Sequence, residues 1–155
     1  MIQRIQTVFL LAICAFSTVA TLMPLLYFAT ANGELYDLYA SGLRLASGEP
    51  LQGSIYMLVL SIAVSVLPLV IIFLFKNRML QVRLCAVEAV LLLGNYAMIG
   101  AYYFLSCRAF NEIGITAKGF HPAVFAPLAA LVLCFFAGKA ILNDELLVRS
   151  VDRIR

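Results

Sequence analysis

The amino-acid sequence predicts an all-α integral membrane protein: a bundle of four transmembrane helices followed by a short amphipathic C-terminal helix. Three observations favour this class. The 155 residues are 64% hydrophobic and 12% charged, whereas soluble domains are about 45–50% apolar and about 25% charged. Four long runs carry no charge, and most basic residues fall on one side of the membrane that these runs define.

Each uncharged run supplies the roughly 20 apolar residues that a helix needs to cross about 30 Å of hydrocarbon. The predicted spans cover about 6–29, 54–75, 84–106 and 122–142, and residues 143–155 form the tail. The runs are continuously apolar, which favours helices over the alternating strands of a barrel. The chain, 1–155, is therefore expected to be a single membrane domain.

The first run begins like a secretory signal, because Arg4 precedes the apolar stretch VFLLAICAF. A cleaved signal has an apolar region of about 7–15 residues. Here the apolar character continues through LMPLLYFATA to Ala31. The first helix is therefore expected to be retained, with cleavage as the alternative.

Four spans place both termini on one side of the membrane, together with the link between the second and third spans. That side holds most of the basic residues: Arg4, Lys76, Arg78, Arg83, Lys139, Arg149, Arg153 and Arg155. The opposite side holds only Arg44, Arg108 and Lys118. Basic segments near helix ends are retained in the cytoplasm, so both termini are expected to be cytoplasmic.

Three segments outside the predicted spans have patterns of their own. The outer loop, 32–53, is rich in turn residues and fits either a hairpin or an interfacial helix. The shorter outer link, CRAFNEIGITAKGFH, is interpreted as an ordinary connector. The tail NDELLVRSVDRIR places Leu147, Val151 and Ile154 on one helix face. It is expected to lie on the membrane surface or to contact a partner protein.

Glu88 and Lys139 are charged residues inside the ends of predicted spans three and four. They lie at similar depths on helices that should be neighbours, and an isolated charge is costly at mid-membrane. A structural Glu88–Lys139 pair is therefore one hypothesis. The alternatives are that Lys139 extends to water and Glu88 pairs locally, or that the two belong to a proton or ion relay.

Asn95 is the remaining polar residue deep in a predicted span, and it is flanked by Gly94 and Tyr96. Small residues let helices approach closely, and an amide can bond across the contact. Asn95 is therefore expected to serve helix packing within one chain. A contact in a homo-oligomer and a transport pathway are the alternatives.

The sequence shows no pattern typical of catalysis or of cofactor binding. Its four cysteines include no CxxC, and its single histidine, His121, excludes a metal site built on several imidazoles. Phosphate-loop, HExxH and GxSxG motifs are missing. The basic residues lack the aromatic interleaving of a nucleic-acid site. We therefore expect no enzyme activity, no cofactor, no metal site and no nucleic-acid partner.

Three separated segments carry a resemblance to a known family: MIQRIQT at the start, the link FKNRMLQVRLC, and the ending DELLVRSVDRIR. They resemble the corresponding segments of small four-span inner-membrane proteins of unknown function from Bacteroidota. The resemblance covers essentially the whole chain. It implies an uncleaved first helix, four spans and a bacterial inner-membrane location, and it implies no activity.

Two classes of function compete on this basis. In the first, the protein is a noncatalytic accessory or scaffold subunit in the lipid bilayer, which contacts a protein partner or another copy through its basic cytoplasmic link and tail. In the second, it is a small transporter or membrane enzyme that uses intramembrane polar residues. The scarcity of such residues favours the first class.

Overall fold

A computed structural model describes residues 3–74, 77–111 and 114–152. The helices are α1 (Gln3–Leu22), α2 (Ile55–Phe73), α3 (Arg78–Asn111) and α4 (Ala126–Asp152). The strands are β1 (Leu26–Thr30), β2 (Leu35–Tyr39), β3 (Gly42–Leu45), β4 (Pro50–Gly53) and β5 (Ile115–Phe120). A single 3₁₀ turn, Pro122–Phe125, leads into α4.

Within the described residues, four helical segments are long and apolar enough to cross a membrane: Ile5–Leu22, Ile55–Phe73, Met79–Phe110 and Pro122–Asp144. This confirms the predicted number of long apolar helices. α3 is the longest, with 34 residues. At about 1.5 Å per residue it extends over about 51 Å, well beyond the roughly 30 Å of a bilayer core.

The prediction of an all-α fold is wrong, because the two links on one side of the helices form a five-stranded antiparallel sheet. The strand order is β4-β3-β2-β1-β5. Strands β1 to β4 come from the link between α1 and α2. Strand β5 comes from the segment interpreted as an ordinary connector, and it pairs with β1 from Leu26↔Phe120 to Thr30↔Ile115.

The first predicted span, 6–29, is too long at its end. α1 stops at Leu22, two residues before Pro24, and the chain then enters β1. A proline disfavours helical geometry in the residue before it. Buried and half-buried residues alternate along β1, which is the pattern of a strand. The stretch is apolar throughout, so the sequence does not show where the helical repeat gives way to the two-residue alternation of a strand.

The other boundaries also differ from the prediction. α3 begins six residues before the predicted start at 84 and ends beyond 106. The tail is not a separate short amphipathic helix, because α4 continues without a break to Asp152. The nearest proline and glycine to this stretch are Pro127 and Gly138, so no helix-breaking residue separates the tail from the span.

Each of the four helices packs mainly against two of the others. α1 packs against α2 and α4, and α3 packs against the same two helices. Their shared interior is apolar and includes Leu10, Ile13, Val64, Leu92 and Ile141, all of which are buried. Each helix runs opposite to the next in the chain, because the sheet joins α1 to α2 and α3 to α4 at the same end.

The sheet is held on the far end of α3 by aromatic contacts. Phe28 of β1 lies 6.0 Å from Tyr103 and 5.7 Å from Phe110, measured between ring centroids. Tyr36 of β2 lies 4.8 Å from Phe110. Such ring pairs contribute about 0.5–1.5 kcal/mol each beyond their buried area. The extra length of α3 therefore supplies the surface on which the sheet packs.

Candidate functional site

One face of α3 is buried along most of the helix. Its residues recur every three or four positions, the period of a helix face: Gln81, Cys85, Glu88, Leu92, Asn95 and Ile99. The helical repeat alone therefore carries Glu88 and Asn95 into the interior with their apolar neighbours.

Glu88 is enclosed in the interior of the helices. Its side chain is 0% exposed. Neither carboxylate oxygen has a partner among the residues that the structure describes. An unsatisfied buried polar group costs about 1–3 kcal/mol, and a charged one costs more. Because this unsatisfied carboxyl group lowers the stability of the fold, Glu88 is a candidate functional residue rather than a structural one.

The hypothesised Glu88–Lys139 pair is not formed. Lys139 is exposed, whereas Glu88 lies in the interior. The interior positions of α4 are Ala130, Cys134, Ala137 and Ile141. Lys139 lies two residues from both Ala137 and Ile141, so its side chain is turned away from the interior toward the surface of the helix pair. The two residues lie at similar depths along their helices, which is why the sequence suggested a pair. They do not meet, because Lys139 points away from the interior of the helices.

Other buried polar side chains join the helices. Asn95 is 3% exposed, and its Oδ1 accepts a hydrogen bond from Ser61 Oγ of α2 at 3.2 Å. Gln81 donates to the Ile71 carbonyl oxygen of α2 at 2.8 Å. Gln6 donates to the Ala140 carbonyl oxygen of α4 at 3.2 Å. These amides therefore act in helix packing, and Glu88 differs from them in having no partner.

Two cysteines lie in contact between α3 and α4, and sequence reasoning did not predict this contact. Cys134 Sγ donates to the Cys85 carbonyl oxygen at 3.3 Å, and both cysteines are free and buried. Cys85 lies one helical turn before Glu88. No motif marks this contact, because the two cysteines are 49 positions apart in the chain.

Polar residues also line the outer face of the sheet. Asp37 lies opposite Tyr27 in one strand pair and opposite Arg44 in the next. His121 Nε2 is 3.4 Å from Asp37 Oδ1, and its ring is 5.4 Å from that of Tyr27. Within the described residues, no group of three or more potential ligands is placed to hold a metal ion.

Tyr36 anchors the inner face of the sheet and forms a polar contact with the turn that precedes β2. Its hydroxyl donates to the carboxylate of Glu34. This hydrogen bond, together with burial and the negative charge of Glu34, raises the pKa of Tyr36 above its ordinary value of 10.0. A raised pKa means that the folded state favours the protonated phenol.

We expect the fold to lose this contribution at alkaline pH. It is fully present below pH 10, the ordinary tyrosine pKa, and disappears as pH rises through the higher pKa of the folded protein. Tyr36→Phe should remove this part of the alkaline destabilisation while keeping the ring contact with Phe110. Thermal melts at increasing pH measure it. An unchanged alkaline profile in Tyr36→Phe would contradict the role of the Glu34 contact.

The basic residues predicted to form a cytoplasmic surface lie at the end of the helices opposite the sheet, where the structure describes them. Arg4 is in the first turn of α1, Arg78 begins α3, and Arg149 is near the end of α4. Arg83 lies in the second turn of α3 and is exposed. Lys76, Arg153 and Arg155 lie outside the described residues.

Four long apolar helices with a small antiparallel sheet at one end define a protein whose architecture is compatible with a multi-span membrane protein. The chain belongs to the family described as Domain of unknown function (DUF4293), which matches residues 2–154. No curated protein matches the chain.

Proposed function

We propose that this is a four-span protein of a bacterial inner membrane that acts as a noncatalytic accessory or scaffold subunit. The lengths and hydropathy of the four helices support the membrane assignment. The excess of basic residues at the end opposite the sheet supports a cytoplasmic location for both termini. In this arrangement the sheet lies on the noncytoplasmic side.

The observation that carries the scaffold proposal is the dry interior of the helices. Glu88 is 0% exposed, and Asn95 and Ser61 are each 3% exposed. A transport pathway needs polar groups that face one another or a water-filled cavity. In the described interior, water does not reach these polar side chains, and most of them are used in contacts between helices.

The proposed contact surface is the basic cytoplasmic end, including the tail. Cross-linking in native membranes, followed by purification in mild detergent, is expected to recover a partner in fixed stoichiometry. Replacing Arg149, Arg153 and Arg155 by glutamate should abolish this recovery. Replacing Arg44 and Lys118 by glutamate is the matched control, because these cations lie on the sheet side. A lone monomer under all conditions would contradict the proposal.

A second function is favoured by one observation. Glu88 is a carboxyl group without a partner, one turn from two adjacent free thiols. A small transporter or membrane enzyme that uses Glu88 would explain why the residue is present despite its cost. Glu88→Gln separates the two candidates, because it should leave partner recovery unchanged in a scaffold.

A further inference from the structure

A groove runs along the surface where α3 meets α4. Its volume is about 550 Å³, within the range of about 300–1,000 Å³ that is typical of ligand sites. Its wall is almost wholly apolar and includes Val82, Ala86 and Ala89 of α3. On α4 it extends from Leu131 to Leu142. Eleven residues of helix correspond to about 16 Å, about half of a bilayer core of roughly 30 Å.

Cations lie at one end of this groove. Lys139 lines it, five residues before the end of the apolar segment Pro122–Asp144, or about 7.5 Å in depth. Arg83 is exposed next to Val82, four residues after the start of Met79–Phe110, or about 6 Å in depth. Among the described residues, neither cation forms an ion pair with an acid.

We propose that the groove between α3 and α4 binds an anionic phospholipid of the cytoplasmic leaflet. One acyl chain lies along the apolar wall, and the headgroup phosphate lies against Lys139, with Arg83 as a second cation nearby. The length of the groove matches one leaflet, and the free cations lie where the headgroups begin. This inference rests on the proposed insertion of the protein in a membrane.

The length of the groove and the cations at one end favour a lipid over a helix from another protein. A partner helix would follow the full membrane thickness, whereas the groove covers about half of it. A second groove of about 510 Å³ lies near the sheet, with Phe16, Phe125 and Ala129 in its wall. Among the described residues that line it there is a histidine, His121, but no lysine or arginine. It serves as an internal control, because a lipid bound there should show no preference for an anionic headgroup.

The chain has no tryptophan, so an introduced indole reports on a single place. Leu142→Trp reports on the proposed site, and Phe125→Trp reports on the second groove. Each protein is reconstituted in phosphatidylcholine vesicles that contain brominated phosphatidylglycerol, or brominated phosphatidylcholine, as the quencher. Relative quenching by the two quenchers gives the preference for the anionic lipid.

We expect Leu142→Trp to prefer phosphatidylglycerol about fivefold for each cation that contacts the headgroup. Adding Lys139→Gln should lower the preference about fivefold, and adding Arg83→Gln as well should remove it. Phe125→Trp should show no preference. An equal preference in the two reporters, or one that Lys139→Gln leaves undiminished, would overturn the site. If brominated phosphatidylcholine quenched neither indole, the membrane assignment itself would fail.

Discussion

Replacing Gly42 with alanine is expected to disrupt the sheet and to cost about 4 kcal/mol of stability. Gly42 has a φ of +132°, which L residues rarely adopt, and such strain costs about 1–3 kcal/mol. A Cβ at this position would lie 2.1 Å from the Gln52 carbonyl oxygen of the neighbouring strand. Overpacking adds about 1–3 kcal/mol, and backbone in a paired strand cannot move aside as a side chain can.

Thermal unfolding in mild detergent measures this effect, with two glycines as controls. Gly53→Ala should be nearly neutral, because nothing lies within 4 Å of its added Cβ. Gly33→Ala meets open space but has a φ of +81°, so it should cost only the backbone strain, about 1–2 kcal/mol. Equal losses in Gly42→Ala and Gly53→Ala would contradict the close pairing of β3 with β4.

Glu88→Met is expected to stabilise the protein by about 1–3 kcal/mol. The substitution replaces a buried carboxyl group without a partner by an apolar side chain of similar size. It therefore removes the cost of an unsatisfied polar group while the interior stays filled. Denaturation in detergent measures the gain. A loss of stability would show that Glu88 has a structural partner.

Asn95→Leu is the matched control on the same face of α3. It should destabilise the protein by about 1–3 kcal/mol, because it leaves the buried Ser61 hydroxyl without its partner.

The effects of Glu88→Met and Lys139→Gln on the free energy of unfolding should add within about 0.5 kcal/mol in the double mutant, as expected for residues that do not interact. A larger coupling would restore the rejected pair.

A gain in stability from Glu88→Met would also bear on function. Proteins keep locally unfavourable groups mainly where activity needs them. If the stabilised variant still recovers the proposed partner, the scaffold proposal holds and Glu88 is not needed for it. If recovery or growth is lost while the fold is more stable, the transporter or enzyme candidate gains support.

The helices could be predicted from the sequence because each carries a long apolar run bounded by charges. The sheet could not, for reasons that particular residues make clear. Leu26 and Phe28 continue the apolar run of α1, so composition does not show where the helix ends. The pairing of β5 with β1 joins residues about ninety positions apart, and no local signal specifies such a partner.

The site was predictable only in part. The depth of Glu88 and Lys139 in the membrane could be predicted by counting residues. Whether their side chains face each other depends on which face of α4 points to the interior. That face can be found from the buried positions Ala130, Cys134, Ala137 and Ile141, whose spacing excludes Lys139 from the interior. The contact of Cys85 with Cys134 depends on the packing of α3 against α4, which one sequence does not contain.

The central claim is that the sheet and the basic end lie on opposite sides of a membrane. The most direct test is labelling of spheroplasts with a membrane-impermeant maleimide, in a chain whose four cysteines are replaced by alanine. Ala117→Cys lies on exposed β5, and Asn77→Cys is exposed between α2 and α3. We predict that Ala117→Cys is labelled in intact spheroplasts and Asn77→Cys only after lysis. Labelling of both before lysis, or in the reverse order, would contradict the account.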